Sequence, residues 1–272
     1  MTQNNGALLS FRNVSVRFQT QKGSTHALED VSFDVNEGEF LCLLGPSGCG
    51  KSTLLSVAAG LLEASSGQVL LSGEPVRGPN PRIGFVSQQD NLFPWRTLRS
   101  NVEFGLEIRG VPGKQRRDRA QALIDQVGLA GFEDSYPYEL SGGMRQRANI
   151  ARTLAIKPEI ILMDEPFGPL DALTRTELQG MLLDIWSKLQ RTVIFVTHDL
   201  NESIVLADRV VVLTQRPGRL RNIRKIEMPR PRDPYHIQEQ EGYSAIHHVL
   251  VDDIIRQTDT SWSQNVPSGV AS

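Results

Sequence analysis

Phe40 to Leu62 reads FLCLLGPSGCGKSTLLSVAAGLL. The first five residues are an unbroken apolar run of strand length, as expected of a strand buried on both faces. From Ser52 onward apolar residues return at helical spacing, as Leu54/Ala58 and Leu55/Ala59/Leu62. Between the two lie Gly45, Pro46, Ser47, Gly48, Cys49, Gly50, Lys51, Ser52 and Thr53, a glycine-rich loop that closes on lysine and a hydroxyl. Such a loop, after a strand and before a helix, suits the wrapping of a nucleotide's phosphates. Its N–H groups point inward, its glycines let the backbone come close, Lys51 adds positive charge, and Ser52 is placed to ligand Mg²⁺. A glycine-rich surface turn would need neither flanking element. Nucleotide binding, most simply of ATP, follows from this stretch, and an α/β fold with it.

Composition bounds the rest. The chain has 272 residues, 39% of them hydrophobic and 22% charged, with a net charge of −2. That is enough for one large or two small globular domains. A near-neutral balance supplies no basic field, so no nucleic-acid partner is expected. Apolar runs such as Ile160–Met163 and Val210–Leu213 fall far short of the roughly 18 residues that span a bilayer. No cationic, apolar and small-residue succession opens the chain, so no signal peptide is expected, and membrane association would come through a partner. Cys42 and Cys49 lack metal-ligand spacing and read as small buried thiols; Cys49 leaves open a role as a chemical handle on the loop.

Along the chain, Leu8 to Val76 has the alternation of strands, at Val14/Val16/Phe18, at Val31/Phe33/Val35 and over Gly67–Leu71. Ile83–Val86 is another apolar strand. Asn91 to Lys157 turns helical, with an amphipathic segment over Arg116–Val127. Three apolar strands follow, Ile160–Met163, Val193–Val196 and Val210–Leu213, separated by helices, one of which covers Leu178–Leu189. Alternating strand and helix predicts a parallel sheet with helices packed on it. After Thr214 come a turn at Arg216–Leu220, a proline-broken stretch at Pro229–Pro234, a terminal helix over Gly242–Ile255 and a polar tail at 261–272, expected to be disordered.

Ligands of open α/β sheets gather at the carboxyl ends of strands. Four polar elements follow an apolar strand directly: the loop at Gly45, Gln88, the pair Asp164-Glu165, and His198. All four are expected to reach one pocket. Asp164 can hold Mg²⁺ beside Ser52 and Gln88, while Glu165 can act as general base on the attacking water. Gln89 competes with Gln88 for the sensing role. His198 is read as a γ-phosphate contact, and Asp199 and Glu202 have the spacing of an N-cap and its capping partner. Leu140-Ser-Gly-Gly-Met144 places Ser141 as N-cap of a helix with Met144, Ala148, Ala151 and Ala155 on its apolar face. Gly142 and Gly143 leave that helix's first N–H groups open to an anion. The phosphate loop already supplies one helix N-terminus, so a second implies intermolecular use. Two chains head to tail would clamp each nucleotide between the loop of one and the Ser-Gly-Gly of the other.

These elements, in this order, resemble the ATP-binding subunits of ABC transporters over residues 8 to about 215. The matches are Gly45–Ser52 (Walker A), Gln88 (Q-loop), Leu140–Gly143 (signature), Ile160–Glu165 (Walker B), Leu170-Asp171 (D-loop) and His198 (H-loop). Met144 stands where the signature usually has glutamine. The resemblance implies a P-loop NTPase with a RecA-like core, an antiparallel β subdomain and a helical subdomain near 90–157. It implies a dimer that closes on two Mg-ATP, with Asp171 at the shared site. It puts a stacking aromatic for adenine at Phe18, although Phe18 shares a strand face with Val14 and Val16 and could equally be core. On this division 8–215 is the ATPase domain and 216–260 a hairpin-and-helix extension.

Asn91-Leu-Phe-Pro-Trp-Arg-Thr97, Met144-Arg-Gln-Arg147, Pro166-Phe-Gly-Pro-Leu-Asp171 and Arg216-Pro-Gly-Arg219 are similar to the nitrate/sulfonate/taurine importer group. That likeness implies partners: a paired ATPase, a transmembrane permease and, indirectly, an extracytoplasmic binding protein. The chain would then sit at the cytoplasmic face of the inner membrane. Trp95 is either a permease contact or core packing. The basic residues of Arg216–Arg232 either face lipid headgroups or line a solvated hairpin. A soluble ABC ATPase working on ribosomes or nucleic acid is the competing class, and a P-loop kinase would have no use for the signature helix.

Overall fold

The structure is a computed structural model describing residues 7–20 and 23–255; the polar tail at 261–272 lies outside the described residues. An antiparallel sheet is built from β1 (Ala7–Thr20), β2 (Gly23–Asn36), β4 (Ser66–Leu71) and β5 (Glu74–Pro75), in the order β2-β1-β4-β5. The larger sheet holds β3 (Phe40–Leu44), β6 (Ile83–Val86), β7 (Ile160–Asp164), β8 (Thr192–Thr197), β9 (Arg209–Leu213) and β10 (Leu220–Lys225). Its order is β10-β9-β3-β8-β7-β6, parallel throughout except for β10 on the edge.

Strand β3 shows why this sheet forms. Phe40, Cys42 and Leu44 enter the core beneath the helices, whereas Leu41 and Leu43 enter a second core shared with the antiparallel sheet and α1 (Lys51–Ala58). Both faces being covered, each position must be apolar. The Asn91–Lys157 region carries α2 (Leu98–Ile108), α3 (Gly113–Gln126) and α4 (Gly142–Ala155). Helix α2 starts on Thr97, whose hydroxyl accepts from the Ser100 N–H at 3.3 Å, and buries Leu98, Val102 and Leu106. Asn101, on the same face and fully buried, donates to the carbonyls of Phe93, Arg96 and Thr97 and accepts from the Phe93 N–H. The turn so pinned leaves Trp95 71% exposed, which removes core packing as the reading of that residue.

The second half adds α5 (Ala172–Leu189), α6 (Leu200–Leu206) and α7 (Tyr243–Ile255). Ile226, Met228, Ile237, Tyr243 and Leu250 belong to the core beneath the helices, so the chain after β10 packs onto the rest of the fold. Several arginines of the basic stretch are held in ion pairs. Arg219 pairs with Glu29, Arg224 with Asp253, and Arg230 with Asp208 while lying over the Trp186 ring. Arg232 is buried and donates to the carbonyls of Ile204, Ala207, Ile226 and Met228. Burial lowers its guanidinium to about 10.

Candidate functional site

Helix α1 opens on Gly50, with φ at 107° and no side chain capping its N–H groups. A Cβ there would lie 2.7 Å from Leu28 Cδ2 and 2.9 Å from the Ala27 carbonyl oxygen, so the position admits only glycine. The helix end therefore faces outward with its donors available to an anion. Lys51 is buried beneath the loop, its Nζ donating to the carbonyls of Gly45 (2.9 Å) and Pro46 (3.1 Å) and standing 3.6 Å from Glu165 Oε1. Cys49 is 1% exposed and burial pushes its thiol up, which leaves no accessible handle. Ser52 Oγ donates to Asp164 Oδ1 at 2.8 Å, bringing together the hydroxyl and the first carboxylate of the β7 end. Burial raises Asp164, an effect that this hydrogen bond opposes.

Glu165 has φ at 44°, a left-handed conformation costly for a residue with a Cβ. Its N–H donates to the Val196 carbonyl at 3.1 Å and its own carbonyl accepts from the Gly168 N–H at 3.1 Å, so the surrounding backbone holds it there. One carboxylate oxygen faces Lys51; the other lies 3.2 Å from His198 Nδ1. A cavity of about 380 Å³ opens over these groups, walled by Phe18, Thr25, Ala27, Gly48, Gly50, Lys51, Ser52, Thr53, Glu165 and Arg216. Phe18 is 40% exposed at its edge, although Val14 and Val16 are buried. Register shifts in β1 between Val14 and Arg17 break the alternation and turn Phe18 out of the core.

Gln88 follows β6, the strand paired with β7. A Cβ on Gly168 would lie 3.4 Å from the Glu165 carbonyl oxygen and 3.6 Å from Gln88 Nε2, so Gln88 comes up beside the β7 end. It also borders a second cavity of about 750 Å³ with Gln89, Asp90, Gly142, Arg145, Pro166 and Leu170. Two arginines bind that segment to α4: Arg145 Nε donates to Asp90 Oδ2 at 2.9 Å, and Arg152 donates to the carbonyls of Asp90 and Asn91. Ser141 caps α4 by accepting from the Met144 N–H at 3.2 Å. Gly143 is packed so closely that a Cβ would come 2.5 Å from Thr174 Cγ2. None of 141–143 walls the phosphate-loop cavity of its own chain.

Asp171 caps α5, accepting from the Thr174 N–H at 3.0 Å, and this bond lowers its carboxyl. The start of α6 departs from a simple capping box. Asp199 Oδ1 accepts from the N–H groups of Asn201 and Glu202, but Glu202 does not reach back to the Asp199 N–H. That N–H donates to Thr197 Oγ1 at 2.9 Å, and the Thr197 hydroxyl in turn donates to the buried Glu202 carboxylate. Burial pushes Glu202 up to about 6. Thr197 and Arg152 carry no local signal; Glu202 by its spacing, Arg145 in the Met144–Arg147 stretch and Arg216 in its turn carry one without a site role.

The donors fit a nucleotide with a hard cation. Ser52 and Asp164 are oxygen ligands of the kind Mg²⁺ takes, with phosphate and water completing its shell. Among the described residues no group of three or more His, Cys, Asp or Glu side chains could hold a metal by itself. The model of the ABC transporter family matches residues 28–168. The chain belongs to that family, as an ATP-binding subunit.

The family likeness extends well beyond the matched segment. An uncharacterized ABC transporter ATP-binding protein of Methanocaldococcus jannaschii is 51% identical over 91% of this chain and 93% of its own length. A taurine import ATP-binding protein of Ruegeria pomeroyi is 43% identical over 89% and 92%. An aliphatic sulfonates import ATP-binding protein of Bacillus cereus is 42% identical over 82% and 88%. A dimeric ATP-binding cassette solved in a post-hydrolysis state with ADP and Pi is 32% identical at a TM-score of 0.72, covering 80% of this chain and 99% of that one. This ABC ATPase accordingly has the P-loop NTPase fold, and no helix among the described residues is long and apolar enough to cross a membrane.

Proposed function

We propose that this subunit powers an importer of a small sulfonate, with taurine or a related oxyanion such as nitrate as cargo. Two copies would act head to tail on two ATP at the cytoplasmic face of the inner membrane, held there by a transmembrane permease and supplied by an extracytoplasmic binding protein. The observation that carries the dimer is the split between the cavities: Lys51, Ser52 and Glu165 wall one, while Gly142 and the signature helix border another. A nucleotide on the loop gains the Ser141-Gly142-Gly143 donors only from a second chain. The named taurine and sulfonate relatives support the cargo class.

On this reading Gly50 and the open N–H groups of α1 receive the phosphates and Lys51 neutralises them. Ser52 and Asp164 would hold Mg²⁺, which would supply neutralisation of phosphate charge. Glu165 takes a proton from the attacking water, and His198, in reach of Glu165, contacts the γ-phosphate. Phe18 stacks on the base. Asp171 and Gln88 would belong to the shared face, where Gln88 would be a further oxygen ligand for Mg²⁺. The 8–215 ATPase domain would include the helical subdomain at 90–157, with 216–260 as an extension.

Affinity purification of the chain from detergent-solubilised membranes tests the assignment. A multi-span protein should co-purify, and ATP hydrolysis by the reconstituted complex should rise when binding protein loaded with taurine or an alkyl sulfonate is added. Recovery of ribosomes or DNA instead would defeat the transporter reading. Hydrolysis indifferent to every sulfonate and to nitrate would defeat the cargo class alone.

A further inference from the structure

The hairpin between β9 and β10 returns to the phosphate loop and is fixed against it. Gly218 donates its N–H to the Ala27 carbonyl at 2.9 Å, and its own carbonyl accepts from the Glu29 N–H at 3.0 Å. A Cβ on Gly218 would fall 2.1 Å from the Cys49 carbonyl oxygen, so the turn lies directly on the loop backbone. Thr214 braces the turn, its Oγ1 donating to the Pro217 carbonyl and accepting from the Arg219 N–H. What this turn presents to the cavity is Arg216. Its Nε donates to the Gly48 carbonyl at 3.2 Å, and its side chain shares the cavity wall with Phe18, Lys51 and Thr53.

The two cations of that wall are in different states. Lys51 is buried and engaged by two carbonyls and Glu165. Arg216 is exposed and, among the described residues, has no ion-pair partner, unlike Arg219, Arg224 and Arg230 of the same stretch. With Nε committed to Gly48, both Nη groups remain for a bidentate contact with an oxyanion. With Glu165 read as the general base, Lys51, 3.6 Å from it, marks the side of the bond to be cleaved, and Arg216 is tied instead to Gly48.

We propose that Arg216 is a nucleotide-binding residue that pairs with a phosphate retained in the product, the α- or β-phosphate, and so sets affinity for ATP and ADP alike. This rests on the reading of the cavity as the nucleotide site. It assigns a purpose to the Arg-Pro-Gly turn that the loop motif does not include.

The test measures ATP and ADP binding to the full-length wild-type chain, Arg216→Ala and Arg216→Glu at low salt and near 1 M salt. At low salt Arg216→Ala should lose about tenfold for both nucleotides, the scale of a charge-assisted hydrogen bond, and Arg216→Glu should lose more. Near 1 M salt, where screening reaches about 3 Å, the losses should shrink. In steady-state ATPase assays the defect should fall on KM and not on kcat. Melting temperatures within a few degrees of wild type establish that both variants fold, as expected for an exposed side chain. Equal affinities in wild type and variants overturn the proposal and leave the cavity reading standing. A loss for ATP with none for ADP overturns it too, because the contact would then be to the transferred phosphate. A wild-type chain that binds neither nucleotide overturns the cavity reading itself.

Discussion

Two helices of this subunit offer their N-termini to an anion, and they are furnished differently. Helix α1 starts on a glycine with no side-chain cap, and around it stand a buried lysine, a serine–aspartate pair, a carboxylate and two further walls of a cavity. Helix α4 starts on Ser141, whose hydroxyl already takes the Met144 N–H, and the charged pair lining the space it borders, Arg145 and Asp90, is engaged with itself. A bare helix terminus is worth only about 0.3–1 kcal/mol to a nearby anion. The first end therefore holds a nucleotide by its surroundings, and the second can only add to one held elsewhere. On the proposed reading, affinity resides within one chain and the response to ATP between two.

The most severe test of that division is Glu165→Gln. Removing the base should lower hydrolysis by roughly 10²–10⁴-fold while α1 and Lys51 still hold ATP. Size-exclusion chromatography with ATP should then show a persistent dimer; a monomer under those conditions would break the link between loop and signature. Lys51→Ala strikes the other half. Losing a buried charge aimed at phosphate should weaken ATP binding by on the order of 10²-fold, measured by titration calorimetry. Unchanged affinity would mean that the surroundings of α1 matter no more than those of α4.

Ser141→Arg probes the second end alone. Binding to the isolated chain should be unaltered, while hydrolysis falls by on the order of 10²-fold, the usual worth of a donor at a reacting oxyanion. Mixing Ser141→Arg with Lys51→Ala sharpens the comparison. In mixed dimers one of the two composite sites is built from an intact loop and an intact signature, so activity should reappear on mixing. Continued silence at every mixing ratio would show that the two helix ends do not meet across a dimer.

What could be read from the sequence follows the same line. The strand, loop and helix at Phe40–Leu62 are legible because their signals are local in sequence, although their contacts are not: an unbroken apolar run, closely spaced glycines, a helix period. The signature cap was legible for the same reason, Ser141 bonding only three residues on. Strand order is not written in any one segment; the chain passes from β6 to β7 without stating that β8 lies between β7 and β3. Phe18 was undecided because alternation predicts a face only while register holds, and β1 slips there. Arg216 was missed because Gly218 and Leu28, paired in a bridge, are far apart in sequence.

A third helix start gives a smaller test of how surroundings are built. Helix α6 begins just after His198, and its first turn rests on Thr197 and Glu202, the latter 5% exposed with Arg175 Nε at 3.8 Å. Here a carboxylate is spent on posture, holding the β8 end from which His198 projects. Burial raises Glu202 from its ordinary 4.5 to about 6. A raised acid binds its proton more tightly when folded, so its contribution to stability is full below pH 4.5 and is lost as pH rises through 6. Glu202→Gln removes that titration and keeps the shape. Relative to the variant, the wild type should lose about 2 kcal/mol of unfolding free energy between pH 4.5 and neutrality, since each pKa unit is worth about 1.4 kcal/mol. Urea denaturation of both proteins at the two ends of that range measures it. A difference that does not change with pH would mean that Glu202 meets water in the folded chain, and the α6 cap would then be as open as that of α4.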